Sequence, residues 1–248
     1  MVMIEVHEFK KSYGAKSVHK AVSFEVKKGE CMGLLGGSGT GKSVILRSLI
    51  GLEKPDSGRI VIAGTDITQM HERDLLSIRK KVAYAFQNGA LFDSMTVYEN
   101  LAYPLREHFN LSEHEIKDKV FAQLADFGLQ GNENIYPTSL SGGMQKRVGL
   151  VRAMMMDPEV ILYDEPTAGL DPFNTKKIQE VILKLKAKGV TSILVTHDMP
   201  TALAVCDRMA ILSKGQVAAH GTMQELGLSD LGAGATNPIS RFINGDEF

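Results

Sequence analysis

Nowhere does this 248-residue chain run apolar without interruption for the ~20 residues that a membrane-spanning helix requires. Its first residues, Met1-Val2-Met3-Ile4-Glu5-Val6, lack the basic region and apolar core of a secretory signal. Any membrane role therefore places the crossing in other chains. Cysteine is nearly absent: Cys31 and Cys206 both stand in apolar stretches, with neither the number nor the spacing of a disulfide framework or a zinc site. They are expected to be buried free thiols. Charge of either sign is not in excess, since 28 Lys and Arg face 29 Asp and Glu. That balance gives no electrostatic reason to expect nucleic acid as a partner. The 44% hydrophobic content is enough for a substantial core and excludes general disorder.

What is present is an alternation of short apolar runs and helical patterns. Ile4 to His7 and Val22 to Val26 show the period of half-exposed strands, divided by a turn at Tyr13-Gly14. Met32 to Leu35 is a short buried strand that runs into a glycine loop, and Lys42 to Ile50 continues as a helix. Further strands are predicted at 59–62, 82–86, 160–163 and 192–196, with helices at 111–127, from Gly142, and at 173–188, and a closing hairpin near Lys214-Gly215. Ser112 and Glu115 form a capping box for the first of those helices. The pattern predicts an α/β fold with a mostly parallel sheet, an N-terminal antiparallel β lobe and a helical insertion over about 88–157, in one domain with a tail over about 225–248.

Two glycine motifs carry the chemistry. Gly36-Gly37-Ser38-Gly39-Thr40-Gly41-Lys42-Ser43 fits the P-loop pattern in full, with Val44 continuing it into the helix. Its backbone amides would wrap nucleotide phosphates, Lys42 would neutralise β and γ charge, and Ser43 would offer a hydroxyl to Mg²⁺. Asp164 follows four apolar residues and would hold the metal through water, while adjacent Glu165 would polarise the water that attacks the γ-phosphate. The second motif, Leu140-Ser141-Gly142-Gly143-Met144-Gln145, opens a helix with outward N–H groups at the positive end of its dipole. That is a second anion cradle, and a single domain rarely needs two.

With Val160 to Glu165, this arrangement resembles the nucleotide-binding subunit of an ABC transporter, and the likeness spans essentially the whole chain. The resemblance implies the ABC ATPase fold and a head-to-tail pair with a second copy of the chain. Each ATP would lie between one copy's Lys42 loop and the other's Ser141-Gly142-Gly143. It implies that Gln87 touches Mg²⁺ and the attacking water on a loop that meets a permease, that His197 contacts the γ-phosphate, and that Tyr13 stacks on adenine. Asp171 falls in the family's loop crossing between subunits; the residues themselves equally read it as an N-cap before Pro172. The segment from Phe86 to Asn100, Met144, and Tyr163 to Thr167 look like the ATPases of the MCE-associated phospholipid systems. This implies transmembrane permease subunits, an MCE-type lipid-binding subunit, and a place on the cytoplasmic face of the inner membrane. Leu91, Phe92, Met95, Val97 and Tyr98 form an apolar cluster that either receives a short membrane-subunit helix or packs the helical lobe onto the sheet. Rival readings are a transporter ATPase for amino acids or another solute, and a non-transport ABC ATPase.

Overall fold

In the computed structural model of the chain, residues 1–227 are described. The tail expected over about 225–248 therefore lies outside them beyond Gly227. One ten-stranded sheet organises the molecule. Its first part is the antiparallel pair β1 (Val2–Tyr13) and β2 (Lys16–Lys27), flanked by β4 (Ser57–Ile62) and the short β5 (Thr65–Asp66). Val22, Phe24 and Val26 are buried while Ser23 and Glu25 face solvent, the period-2 pattern of a strand with one wet face. In β1 the alternation slips between Val6 and Phe9, where Glu8 adopts a left-handed φ of 47° and the register shifts. This bulge lets Phe9 point inward, where unbroken alternation would have sent Glu8.

The second part is parallel. β3 (Cys31–Leu35) pairs with β8 (Thr191–Thr196) and β9 (Arg208–Ser213), β8 pairs with β7 (Val160–Asp164), and β7 with β6 (Val82–Ala85). These strands read as continuous apolar runs because both faces are covered. On β7, Val160 and Leu162 pack among α1 (Lys42–Leu49), α2 (Glu72–Arg79) and the antiparallel strands, whereas Ile161 and Tyr163 pack among the helices of the opposite face. β10 (Gln216–Thr222) pairs antiparallel with β9 and meets β2 at Gln216 and Ala21, so the β lobe and the parallel strands form one continuous sheet rather than two.

Between β6 and β7 come α3 (Val97–His108), α4 (Glu113–Asp126) and α5 (Gly142–Met154). Capping boxes at Thr96/Glu99 and Ser112/Glu115 start the first two. The sequence pattern did not separate α3, which carries Pro104 in its interior, nor α2 or α7 (Met199–Val205). The packing reading of the apolar cluster near residue 95 is realised in part: Val97 is wholly buried and Leu91 and Tyr98 pack on the helical core, while Phe92 stays 42% exposed. Cys31 and Cys206 are buried free thiols with Sγ atoms 3.9 Å apart.

A nucleotide cleft at the ends of the parallel strands

The glycine loop lies between β3 and α1, and its last residue fixes how the helix starts. Gly41, the N-cap of α1, has φ 89°, and a Cβ there would stand 2.5 Å from the ring of His19. Only glycine fits on both counts. Its carbonyl accepts from Val44 N at 2.9 Å and lies 3.1 Å from His19 Nε2. Burial holds the His19 pKa below its ordinary value, which keeps the imidazole neutral with Nε2–H as donor to that carbonyl. Sequence reasoning missed His19, whose inward position breaks the alternation of β2.

Lys42 is buried, and its Nζ donates to the Gly36 and Gly37 carbonyls at 2.7 and 3.0 Å. The ammonium therefore stands at the centre of the loop. Burial lowers its pKa, and the charges of Glu165 and Asp164 oppose that shift. Beside it, Ser43 Oγ donates to Asp164 Oδ1 at 2.9 Å. A hydroxyl and a carboxylate converging at that distance are the hard oxygen donors that Mg²⁺ takes, with phosphates and water completing its shell. Among the described residues no group of three or more His, Cys, Asp or Glu could hold a metal by themselves.

Glu165 follows at the end of β7 with a left-handed φ of 49°, its N–H held by the Val195 carbonyl at 2.9 Å. That turn directs its carboxylate to the end of β8. There it accepts from Thr196 Oγ1 at 3.2 Å and His197 N at 3.4 Å and lies 3.0 Å from His197 Nδ1. Residues 32 positions apart are thus joined because β7 and β8 are neighbours. Ser38, Gly39, Gly41, Lys42, Ser43, Val44, Gln87, Glu165 and His197 line one open cleft of about 700 Å³.

Five of the expected residues, at three places, stand elsewhere. Tyr13 is 45% exposed and does not line the cleft; Lys11 Nζ lies 5.4 Å from its ring centroid. Ser141, Gly142 and Gly143 are also outside the cleft. Ser141 is the N-cap of α5, accepting from Met144 N at 3.3 Å, and Ser141 and Gly142 are exposed. Gly143 is buried, and a Cβ there would come within 2.6 Å of Asn174. Asp171 is the N-cap of α6 (Pro172–Ala187), accepting from Asn174 N at 2.9 Å. Farther along α5, Lys146 Nζ donates to the Ala168 carbonyl in the loop after Glu165.

Comparison with known proteins agrees with this geometry. The profile of the ABC transporter family matches residues 19–168. The probable ribonucleotide transport ATP-binding protein mkl of Mycobacterium tuberculosis is 44% identical over 246 residues, covering 98% of this chain and 67% of the relative. The methionine import ATP-binding protein MetN of Carboxydothermus hydrogenoformans is 38% identical, covering 98% of this chain and 72% of its own. Among solved structures, the dimeric post-hydrolysis state of the ATP-binding cassette MJ0796, bound to ADP and Pi, superposes with a TM-score of 0.83 at 31% identity, covering 89% of this chain and 99% of that one. By that match and these identities, and with its P-loop and Asp164–Glu165 at the ends of parallel strands of one sheet, the chain belongs to the ABC transporter family, as an ATP-binding subunit whose ATP hydrolysis, with Mg²⁺, is coupled to transport.

Proposed function

We propose that this chain powers phospholipid transport between membranes, working as a head-to-tail pair in which each ATP is held by one copy's Lys42 loop and the other's Ser141-Gly142-Gly143. The observation that carries the pairing is the exposed cradle at Ser141 and Gly142, which stands outside the chain's own cleft although its N–H groups are arranged for an anion. The MJ0796 neighbour is a dimer, and cassettes of this family work with transmembrane permease subunits. ATP then closes the pair through its γ-phosphate, and loss of that group loosens it. In this reading Glu165 is the base, His197 and Gln87 orient the γ-phosphate and the water, Ser43, Gln87 and Asp164 serve the metal, Tyr13 meets adenine, and Asp171 approaches the opposite ATP. Ser141→Arg is expected to abolish turnover in the assembled complex while ATP binding to the single chain is retained, as read by phosphate release and equilibrium binding. Unchanged turnover would refute the shared site.

No described helix is long and apolar enough to cross a membrane; in this reading the chain reaches the bilayer through its partners, at the cytoplasmic face of the inner membrane. A groove of about 390 Å³ beside the Gln87 loop is lined by Tyr84, Phe86, Phe92 and Tyr103 and edged by Lys80 and Arg152. Its exposed rings and basic rim suit a short apolar permease helix with an acidic end. Phe92→Glu is expected to release the permease on copurification and to leave ATP binding intact. The lipid cargo and an MCE-type partner rest on the likeness of residues 86–100, Met144 and 163–167 to the phospholipid systems. The names of the relatives favour a second reading, a ribonucleotide or methionine cargo. Lipid analysis of the purified complex decides, and absence of bound phospholipid refutes the first.

A further inference from the structure

Asp164 is held by two hydroxyls. Ser43 Oγ donates to Oδ1 at 2.9 Å, and Tyr84 OH, from the neighbouring strand β6, donates to Oδ2 at 2.7 Å. The Ser43 contact belongs to the P-loop; the Tyr84 contact has no part in the reading of the site so far. With Oδ2 fixed, the carboxylate plane is set and Oδ1 is left facing Ser43 and the loop. The other side of the same ring lines the apolar groove, packed on Phe86 with centroids 4.3 Å apart. Thus one side chain reaches from the wall of the groove to the metal carboxylate.

We propose that Tyr84 is a positioning residue that orients Asp164 for Mg²⁺, and that it carries the occupancy of the groove to the metal site. A body seated in the groove confines the ring, and the confined ring keeps its hydroxyl on Oδ2. Hydrogen bonds to metal-binding carboxylates of this kind typically govern metal affinity by 10–100-fold. The first half stands on the contacts of the single chain; the second rests on the groove being the permease surface.

Tyr84→Phe tests both, because it removes the hydroxyl and keeps the ring, and thermal unfolding confirms that the variant is folded. With the full chain and a non-hydrolysable ATP analogue, Mn²⁺ serves as the spectroscopic probe of the metal site. The variant is expected to bind Mn²⁺ about tenfold more weakly, while the analogue's affinity in the absence of metal stays that of the wild type. Equal Mn²⁺ affinity, or an equal loss of analogue affinity with and without metal, overturns the positioning role. In the assembled membrane complex, wild-type Mn²⁺ binding is expected to tighten about fivefold relative to the isolated chain, and that of Tyr84→Phe to stay where it was. Tightening of both, or of neither, overturns the link. Assembly that survives Phe92→Glu instead refutes the permease reading and leaves the positioning role untouched.

Discussion

Glu165→Gln slows phosphate release by about 10²–10⁴-fold, the usual worth of a general base, and leaves ATP binding intact. The amide is isosteric with the carboxylate and still accepts from Thr196 Oγ1 and the His197 N–H, which lie 3.2 and 3.4 Å away. The left-handed turn at residue 165, held through Val195, is a backbone feature that glutamine keeps equally well. What is lost, in the proposed mechanism, is the group that takes the proton from the attacking water. Since bound ATP is no longer consumed, the pair stays closed, and gel filtration with ATP shows a dimer where the wild type returns to monomer. Turnover at the wild-type rate in this variant would place the base elsewhere.

Lys42→Ala acts one step earlier. The ammonium is buried at the centre of the loop and donates to two loop carbonyls. With nucleotide it would also meet the β- and γ-phosphates in charge-assisted hydrogen bonds, worth about 1.5–3 kcal/mol each. Losing them weakens ATP binding by about 10²-fold or more, and hydrolysis disappears with it. Two measurements separate this from a fold defect. The melting temperature without nucleotide falls modestly, because the Gly36 and Gly37 carbonyls lose a partner. The rise on adding ATP, which scales with ligand concentration over Kd, vanishes. A variant that keeps the ATP-induced rise would show that the phosphates are held by backbone amides alone.

The parts of this site legible in the sequence were those whose residues are close along the chain. The strand, loop and helix around Lys42 are set by residues 31–49, and their apolar run and glycines announce them. Glu165 was legible as a charge after a fully apolar strand. The contact of Glu165 with His197 depends on β7 lying beside β8, and that of Tyr84 with Asp164, 80 positions apart, on β6 lying beside β7. No local period encodes strand order, so Tyr84 read only as a strand residue. His19 was hidden for another reason: its inward position follows from irregular pairing in β1 and β2. The groove was invisible because its lining comes from the ends of separate elements. Of the two Asp171 readings, the capping role is realised, while its approach to a partner's ATP is part of the proposed pair.

The close approach of Gly143 to Asn174, where a Cβ would come within 2.6 Å, bears on how the two ATPs of the proposed pair would keep time. Asn174 is fixed by Asp171, and Lys146 donates to the Ala168 carbonyl, so the start of α5 and the chain that follows Glu165 are joined within one copy. In the proposed head-to-tail pair that joint would connect the cradle offered to one ATP with the turn beside the other, as in an escapement, where neither ATP could fire without changing the grip on its twin.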